Sequence, residues 1–129
     1  MLAARRADRL ASLQAELEKK NVKATAVDLD VQSGTSIAAA LDQAGPLDII
    51  VNNAGISIVK PALDMPEEDW DSVVDTNLRT AFHTTQAAMP YLREVAKAEI
   101  AANGKPAYNR KITFTSSVES LVSAWARPS

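Results

Sequence analysis

Asp48-Ile49-Ile50-Val51-Asn52-Asn53-Ala54-Gly55 is an apolar run that ends abruptly in two amides, a methyl and a glycine. Ile49, Ile50 and Val51 follow one another with no polar alternation, the pattern of a strand buried on both faces of a parallel sheet. Asn and Gly at its end suit a backbone that turns sharply and lets another group approach closely. In open α/β sheets, the place just past the carboxyl end of a strand is where ligands bind. The residues around this stretch therefore decide both the fold and the site.

Working outward, the chain alternates. Leu10, Leu13 and Leu17 recur at helical spacing between about Ala7 and Lys20, with Asn21 as the stop. Lys23 to Leu29 reads as a short strand. Ser33 suits an N-cap, and Ile37, Ala40, Leu41 and Ala44 form the buried stripe of a second helix that Gly45-Pro46 ends. Leu47 to Val51 is the next strand. Pro66 with Glu67, Glu68 and Asp69 opens a further helix, since proline is tolerated at the first position and acids suit the positive dipole end. Trp70, Val73 and Val74 continue its buried side. Helical character runs on to about Ala102, broken or kinked near Asn77 and at Pro90, and Asn103-Gly104 closes it. Lys111 to Ser116 is a final strand. The order of helix, strand, helix, strand, long helix and strand is an α/β parallel-sheet pattern.

Composition narrows the function classes. With 129 residues the chain has the size of one domain. Its 47% hydrophobic and 23% charged residues are those of a globular protein. A net charge of −2 points to neither nucleic acid nor a membrane surface as partner. No apolar run approaches a membrane span. There is no cysteine, hence no disulfide framework or thiolate metal site, which fits a cytoplasmic protein. His83 is the one histidine, so neither a histidine-based metal site nor a Ser-His-Asp triad is expected.

Asn52-Asn53-Ala54-Gly55 resembles the signature of the short-chain dehydrogenase/reductase family, and other matches fall in the family's order. Leu2 to Arg6 followed by Ala7-Asp8-Arg9-Leu10 resembles the end of its second strand and the start of the next helix. Asp28-Leu29 resembles the pair that meets the adenine, and Asp75-Thr76-Asn77-Leu78 the segment with the catalytic asparagine. Ile112 to Val118 resembles the fifth strand, which ends at the catalytic serine. Within the family, Thr113 to Ser117 with Asn109-Arg110-Lys111 looks like the 3-oxoacyl-acyl-carrier-protein reductases.

The resemblance implies a nicotinamide-dependent enzyme that interconverts a carbonyl and an alcohol, the substrate being a small carbonyl compound or an acyl thioester. The cofactor-binding residues it implies are Arg5, Arg6, Asp28, Leu29, Asn52, Ala54 and Gly55; the catalytic ones are Asn77 and Ser117. No metal ligand is implied. An arginine in place of an acid at the ribose accommodates a 2′-phosphate, so Arg5 and Arg6 imply NADP(H) rather than NAD(H). The alternative, read from the residues on their own, is a solvated arginine pair at a helix start and a simple loop acid at Asp28. Asn77 is either an exposed helix residue or the site of a bend whose freed backbone group and amide hold a water. Ser116 and Ser120 compete with Ser117, and Ser120 stands where the family often has glycine.

The departures from the family pattern are as telling. None of the four glycines has the spacing of a phosphate-cradling turn. Tyr91 and Tyr108 are followed four residues on by Val95 and Ile112, so neither forms the family's Tyr-x-x-x-Lys pair. The expectation is a single partial domain over residues 1–129, truncated at both ends. It is an incomplete Rossmann-like doubly wound parallel sheet lacking the first strand and the C-terminal strands. In the order 3-2-1-4-5-6, the first strand lies between the second and the fourth. The Val51 strand is thus expected to have an unpaired edge, and the isolated chain to be inactive. The intact protein is expected to be a homodimer or homotetramer through the 75–102 helix, whose Phe82, Met89, Leu92 and Val95 face outward. That helix also supports an alternative, a non-catalytic dimerisation module. A further alternative is a short binder of adenosine nucleotides through Arg5, Arg6 and Asp28.

Overall fold

The structure is a computed structural model, and it describes residues 1–117. Two parallel β-α-β halves share it. In the first, β1 (Leu2–Ala4) leads into α1 (Ala7–Lys19) and back to β2 (Ala26–Asp28), which pairs parallel to β1 with Ala3 opposite Val27. Asn21 stops α1 in the left-handed region at φ 58°, as an asparagine can. The helix α2 (Gly34–Ala44) follows, capped by the Ser33 hydroxyl, which accepts from the Ser36 N–H at 3.2 Å.

In the second half, β3 (Ile49–Asn52) pairs parallel with β4 (Lys111–Phe114), Ile50 opposite Ile112. Between them run α3 (Glu67–Val74), a π-helical turn over Asp75–Arg79, and α4 (Thr80–Asn103). Pro90 sits inside α4 without ending it, and Gly104 closes the helix at φ 74°, its N–H on the Ile100 carbonyl at 2.8 Å. The strand orders are β1-β2 and β3-β4, in two separate two-stranded sheets. The fold is therefore an incomplete Rossmann-like arrangement.

The core that joins the halves is small. Ile37 and Leu41 of α2 meet Ala88 of α4, with Leu29, Leu47, Ile50 and Tyr91 packed around them. On the other side of the first sheet, α1 buries Leu10. Two contacts fix the rest. The Tyr91 hydroxyl donates to Asp42, pinning α4 to α2. The Arg110 guanidinium, its side chain buried, pairs with Glu99 of α4 at 2.9 Å and with Asp48 before β3 at 3.1 Å. That three-way staple holds both strands of the second sheet against the end of α4.

Four sequence expectations about burial are corrected. Ile49 and Val51 are 56% and 63% exposed rather than buried on both faces. Ile50 points into the α2–α4 core, so by alternation Ile49 and Val51 point to the opposite face, which no element among the described residues covers. Trp70 is exposed on α3, and Leu13 is exposed on α1. Leu92 is buried in the fold, so it does not belong to the outward face of α4, where Phe82 does lie.

Candidate active-site cleft

A cleft of about 890 Å³ opens between the two sheets. It is lined by Ala4, Arg5 and Arg6 at the end of β1, by Leu29 after β2, and by Asn52 to Ile56 at the end of β3. Thr76, Asn77 and Thr80 close it from the helical side. This is the carboxyl-end position at which parallel sheets bind ligands. The fold thus gathers Arg5, Arg6, Leu29, Asn52, Ala54, Gly55 and Asn77 around one space. Asp28 is not among the lining residues; it is exposed at the end of β2, in register with Ala4. Ser117 lies two residues beyond Thr115, with which the lining ends. Val118 and Ser120 lie outside the described residues.

The best-defined contact in the cleft is reciprocal. The Asn77 side chain accepts from the Ile56 N–H at 2.8 Å through Oδ1 and donates to the Ile56 carbonyl at 2.9 Å through Nδ2. One donor and one acceptor on each side fix which way round the amide sits. Asn77 lies in the π-helical turn, where the Thr80 N–H reaches back to the Asp75 carbonyl. The expected bend is there, as a π turn of the kind frequent at functional sites. The amide itself, however, is committed to the Ile56 backbone. Gly55 explains the closeness: a Cβ there would stand 3.3 Å from Asn77 Oδ1.

Two supporting groups escaped the sequence reading. Gln32 donates to the buried Thr76 hydroxyl at 2.8 Å, tying the loop before α2 to the π turn. The Thr80 hydroxyl donates to the Thr76 carbonyl within that turn. No spacing rule links Gln32 to Thr76, because the pair is far apart in sequence. Asn52 behaves differently from Asn77: its amide donates to the Thr113 carbonyl at 3.4 Å while its main chain accepts from Thr115 N–H at 2.9 Å. Its first duty is to end the β3–β4 ladder.

The electrostatics of the cleft are one-sided. Among the described residues, Arg5 and Arg6 are the charged side chains that line it, and no carboxylate does. Neither Tyr91 nor Tyr108 lines it either. The Tyr91 phenol is held above its ordinary value of 10.0, first by its hydrogen bond to Asp42 and then by burial. Among the described residues no group of three or more metal-ligating side chains could hold an ion. No helix among them is long and apolar enough to cross a membrane.

Comparison with known proteins agrees with this architecture. The chain is 36% identical over 81 residues to a 3-oxoacyl-acyl-carrier-protein reductase of Staphylococcus aureus, an overlap of 60% of this chain and 33% of that protein. A short chain dehydrogenase from Mycobacterium smegmatis superposes with a TM-score of 0.67 at 34% identity, over 72% of this chain and 40% of the other. A variant of actinorhodin polyketide ketoreductase, solved with NADPH, superposes with a TM-score of 0.75 at 25% identity, over 95% of this chain and 44% of the other. The chain therefore spans less than half the length of these relatives. A family model for short chain dehydrogenases matches residues 1–121, and the chain belongs to that family.

Proposed function

We propose that this chain carries the adenosine-side half of the site of an NADP(H)-dependent oxidoreductase that interconverts a carbonyl and an alcohol, with a 3-oxoacyl thioester as the substrate class. The observation that carries the reading is the convergence of Arg5, Arg6, Leu29, Asn52, Ala54, Gly55 and Asn77 on one cleft past the strand ends. The residues fit the cofactor: two cations, with no carboxylate among the described lining residues, suit a 2′-phosphate, and a glycine at the rim allows close approach. When bound, the nicotinamide supplies the hydride. Arg5 and Arg6 would hold the phosphate, and Asp28 and Leu29 the adenine. Asn52, Ala54 and Gly55 would form the wall along which the cofactor lies. Asn77 positions that wall through Ile56. Ser117 would donate a hydrogen bond to the carbonyl oxygen as charge develops on it. A ketoreductase of the same fold with NADPH bound supports the cofactor, and the Staphylococcus aureus relative supports the substrate class.

The reaction also needs a proton donor at the carbonyl oxygen. Neither Tyr91, engaged with Asp42, nor Tyr108 lines the cleft. Loss of a general acid costs about 10²–10⁴ in rate, so the isolated chain is inactive in this reading. Titration with NADPH and NADH tests it. NADPH binds more tightly, Arg6→Gln weakens NADPH by about tenfold and NADH little, and purified chain oxidises no NADPH above a blank. A flat titration, or tighter NADH binding, overturns the cofactor assignment; turnover overturns the inactivity.

A second reading is favoured by the exposure of Leu78 and Phe82 on the helical segment 75–102: a non-catalytic module that dimerises through it. Sedimentation showing a monomer at all concentrations, or a dimer unaffected by Phe82→Glu, argues against it.

A further inference from the structure

We propose that Gln32 is a positioning residue. Through Thr76 it ties the loop on the adenine side of the cleft to the π turn that carries Asn77, so that filling the adenosine end steadies the Asn77–Ile56 pair at the other end. The inference rests on the cofactor reading for what fills that end; the contact itself stands apart from it.

The loop after β2 gives Gln32 a fixed starting point. The Gln32 N–H donates to Asp30 Oδ1 at 3.0 Å, a local turn closed by the aspartate side chain. The Asp30 N–H donates to the Ser36 hydroxyl at 3.0 Å, and the Ser33 N–H to the Asp30 carbonyl at 3.1 Å. Ser33 in turn caps α2. Leu29 and Val31 of this loop line the cleft. The backbone that presents them to a ligand therefore also sets where the Gln32 amide stands.

At its far end the bond meets a group that needs it. Thr76 is 7% exposed, and a buried hydroxyl without a partner is costly. In a helical segment such a hydroxyl turns to the carbonyl three or four residues back, which bends the helix. The Thr80 hydroxyl does this to the Thr76 carbonyl, its own N–H having gone to Asp75. The Gln32 amide, donating at 2.8 Å, gives the Thr76 hydroxyl a partner outside the helix instead. Asn77 is the next residue, and both polar atoms of its amide are on the Ile56 main chain. The contacts from Leu29 to Ile56 thus run through the Gln32–Thr76 bond.

The experiment uses the full chain and reads amide hydrogen exchange. Without ligand, Gln32→Ala speeds exchange at Ile56 about fivefold, the effect of one lost hydrogen bond. Gly45 and Lys111, whose N–H groups bond to Leu41 and Asp48, keep their rates. Thr76→Val has the same effect, and combining the two adds nothing further. Thr76→Ser, which keeps the oxygen, holds the parent rate. Adenosine 2′,5′-bisphosphate is then added, a probe with the adenine and the 2′-phosphate but no nicotinamide to touch Asn77 directly. In the parent chain it slows exchange at both Leu29 and Ile56, by about threefold or more at saturation; in Gln32→Ala it slows Leu29 alone. Ile56 exchange unmoved by Gln32→Ala, or additive effects of the two substitutions, overturns the positioning role. Equal acceleration at Gly45 and Lys111 makes Gln32 a general stabiliser and overturns it too. Protection of Leu29 without Ile56 in the parent overturns the coupling and leaves the cofactor reading standing. A probe that changes exchange nowhere overturns the cofactor reading and the coupling with it, while the ligand-free rates still decide the contact.

Discussion

At the scale of single residues, the site depends on how Gly55 and Asn77 share space. The Asn77 amide matches the Ile56 main chain donor for acceptor, as a neighbouring strand would. Asn77→Ala leaves that N–H and C=O without their partner and costs about 1 kcal/mol, since water reaches the half-exposed site; a denaturant melt measures it. Asn77→Asp is worse at neutral pH, because a carboxylate oxygen then faces the Ile56 carbonyl. It recovers on acidification, when the protonated acid can donate again. Gly55→Ala keeps both partners but puts a methyl 3.3 Å from Oδ1. Displacing the amide costs about 1 kcal/mol or more, and Ile56 exchange protection falls with it. A melt of Gly55→Ala indistinguishable from that of the parent chain would show the close approach to be unimportant.

At the scale of elements, two polar contacts join helices and strands that little apolar packing holds. Tyr91 donates to Asp42 between α4 and α2, and its pKa is raised in the fold. A raised pKa means that the folded chain keeps the proton longer. The contact's contribution is complete below the ordinary tyrosine value of 10.0 and is lost as pH rises through the folded value. Stability measured from neutral to strongly alkaline pH falls in this window, and Tyr91→Phe flattens that part of the fall. Glu99 is the opposite case. Its pKa is lowered, first by Arg110 and then by the Ala107 N–H. Its contribution is present above the ordinary value of 4.5 and lost as pH falls through the folded one. Glu99→Gln removes that acid-side dependence and loosens β4 from α4, visible as faster amide exchange at Lys111 to Phe114. An unchanged acid limb in Glu99→Gln would refute the staple.

At the scale of the whole molecule, the halves share too little interior to behave as a strongly cooperative unit. Among the described residues no large side chain is fully enclosed, and the cluster that bridges the halves is Ile37, Leu41 and Ala88. Thermal unfolding of the isolated chain is therefore expected to be broad, with a calorimetric enthalpy larger than the van't Hoff value. A sharp transition with the two enthalpies equal would show that the halves fold as one.

The sequence by itself determined what local chemistry can specify. The Ser33 cap, the Asn21 and Gly104 stops, the Ile37–Ala40–Leu41 stripe and the strand from Ile49 are all legible, because capping, left-handed φ and helical periodicity are properties of a few neighbouring residues. The ordered motifs named the family, and with it the unpaired edge of β3. The fate of Ile49, Val51 and Trp70 was not legible: their apolar character says that burial is favourable, whereas burial requires a covering element, and only the tertiary arrangement shows that none among the described residues lies over them. The Arg110 staple, the Gln32–Thr76 bond and the reciprocal Asn77–Ile56 pair were equally hidden. Each joins residues distant in sequence whose separate patterns carry no mark of the other. Side-chain reach and backbone direction in three dimensions decided them.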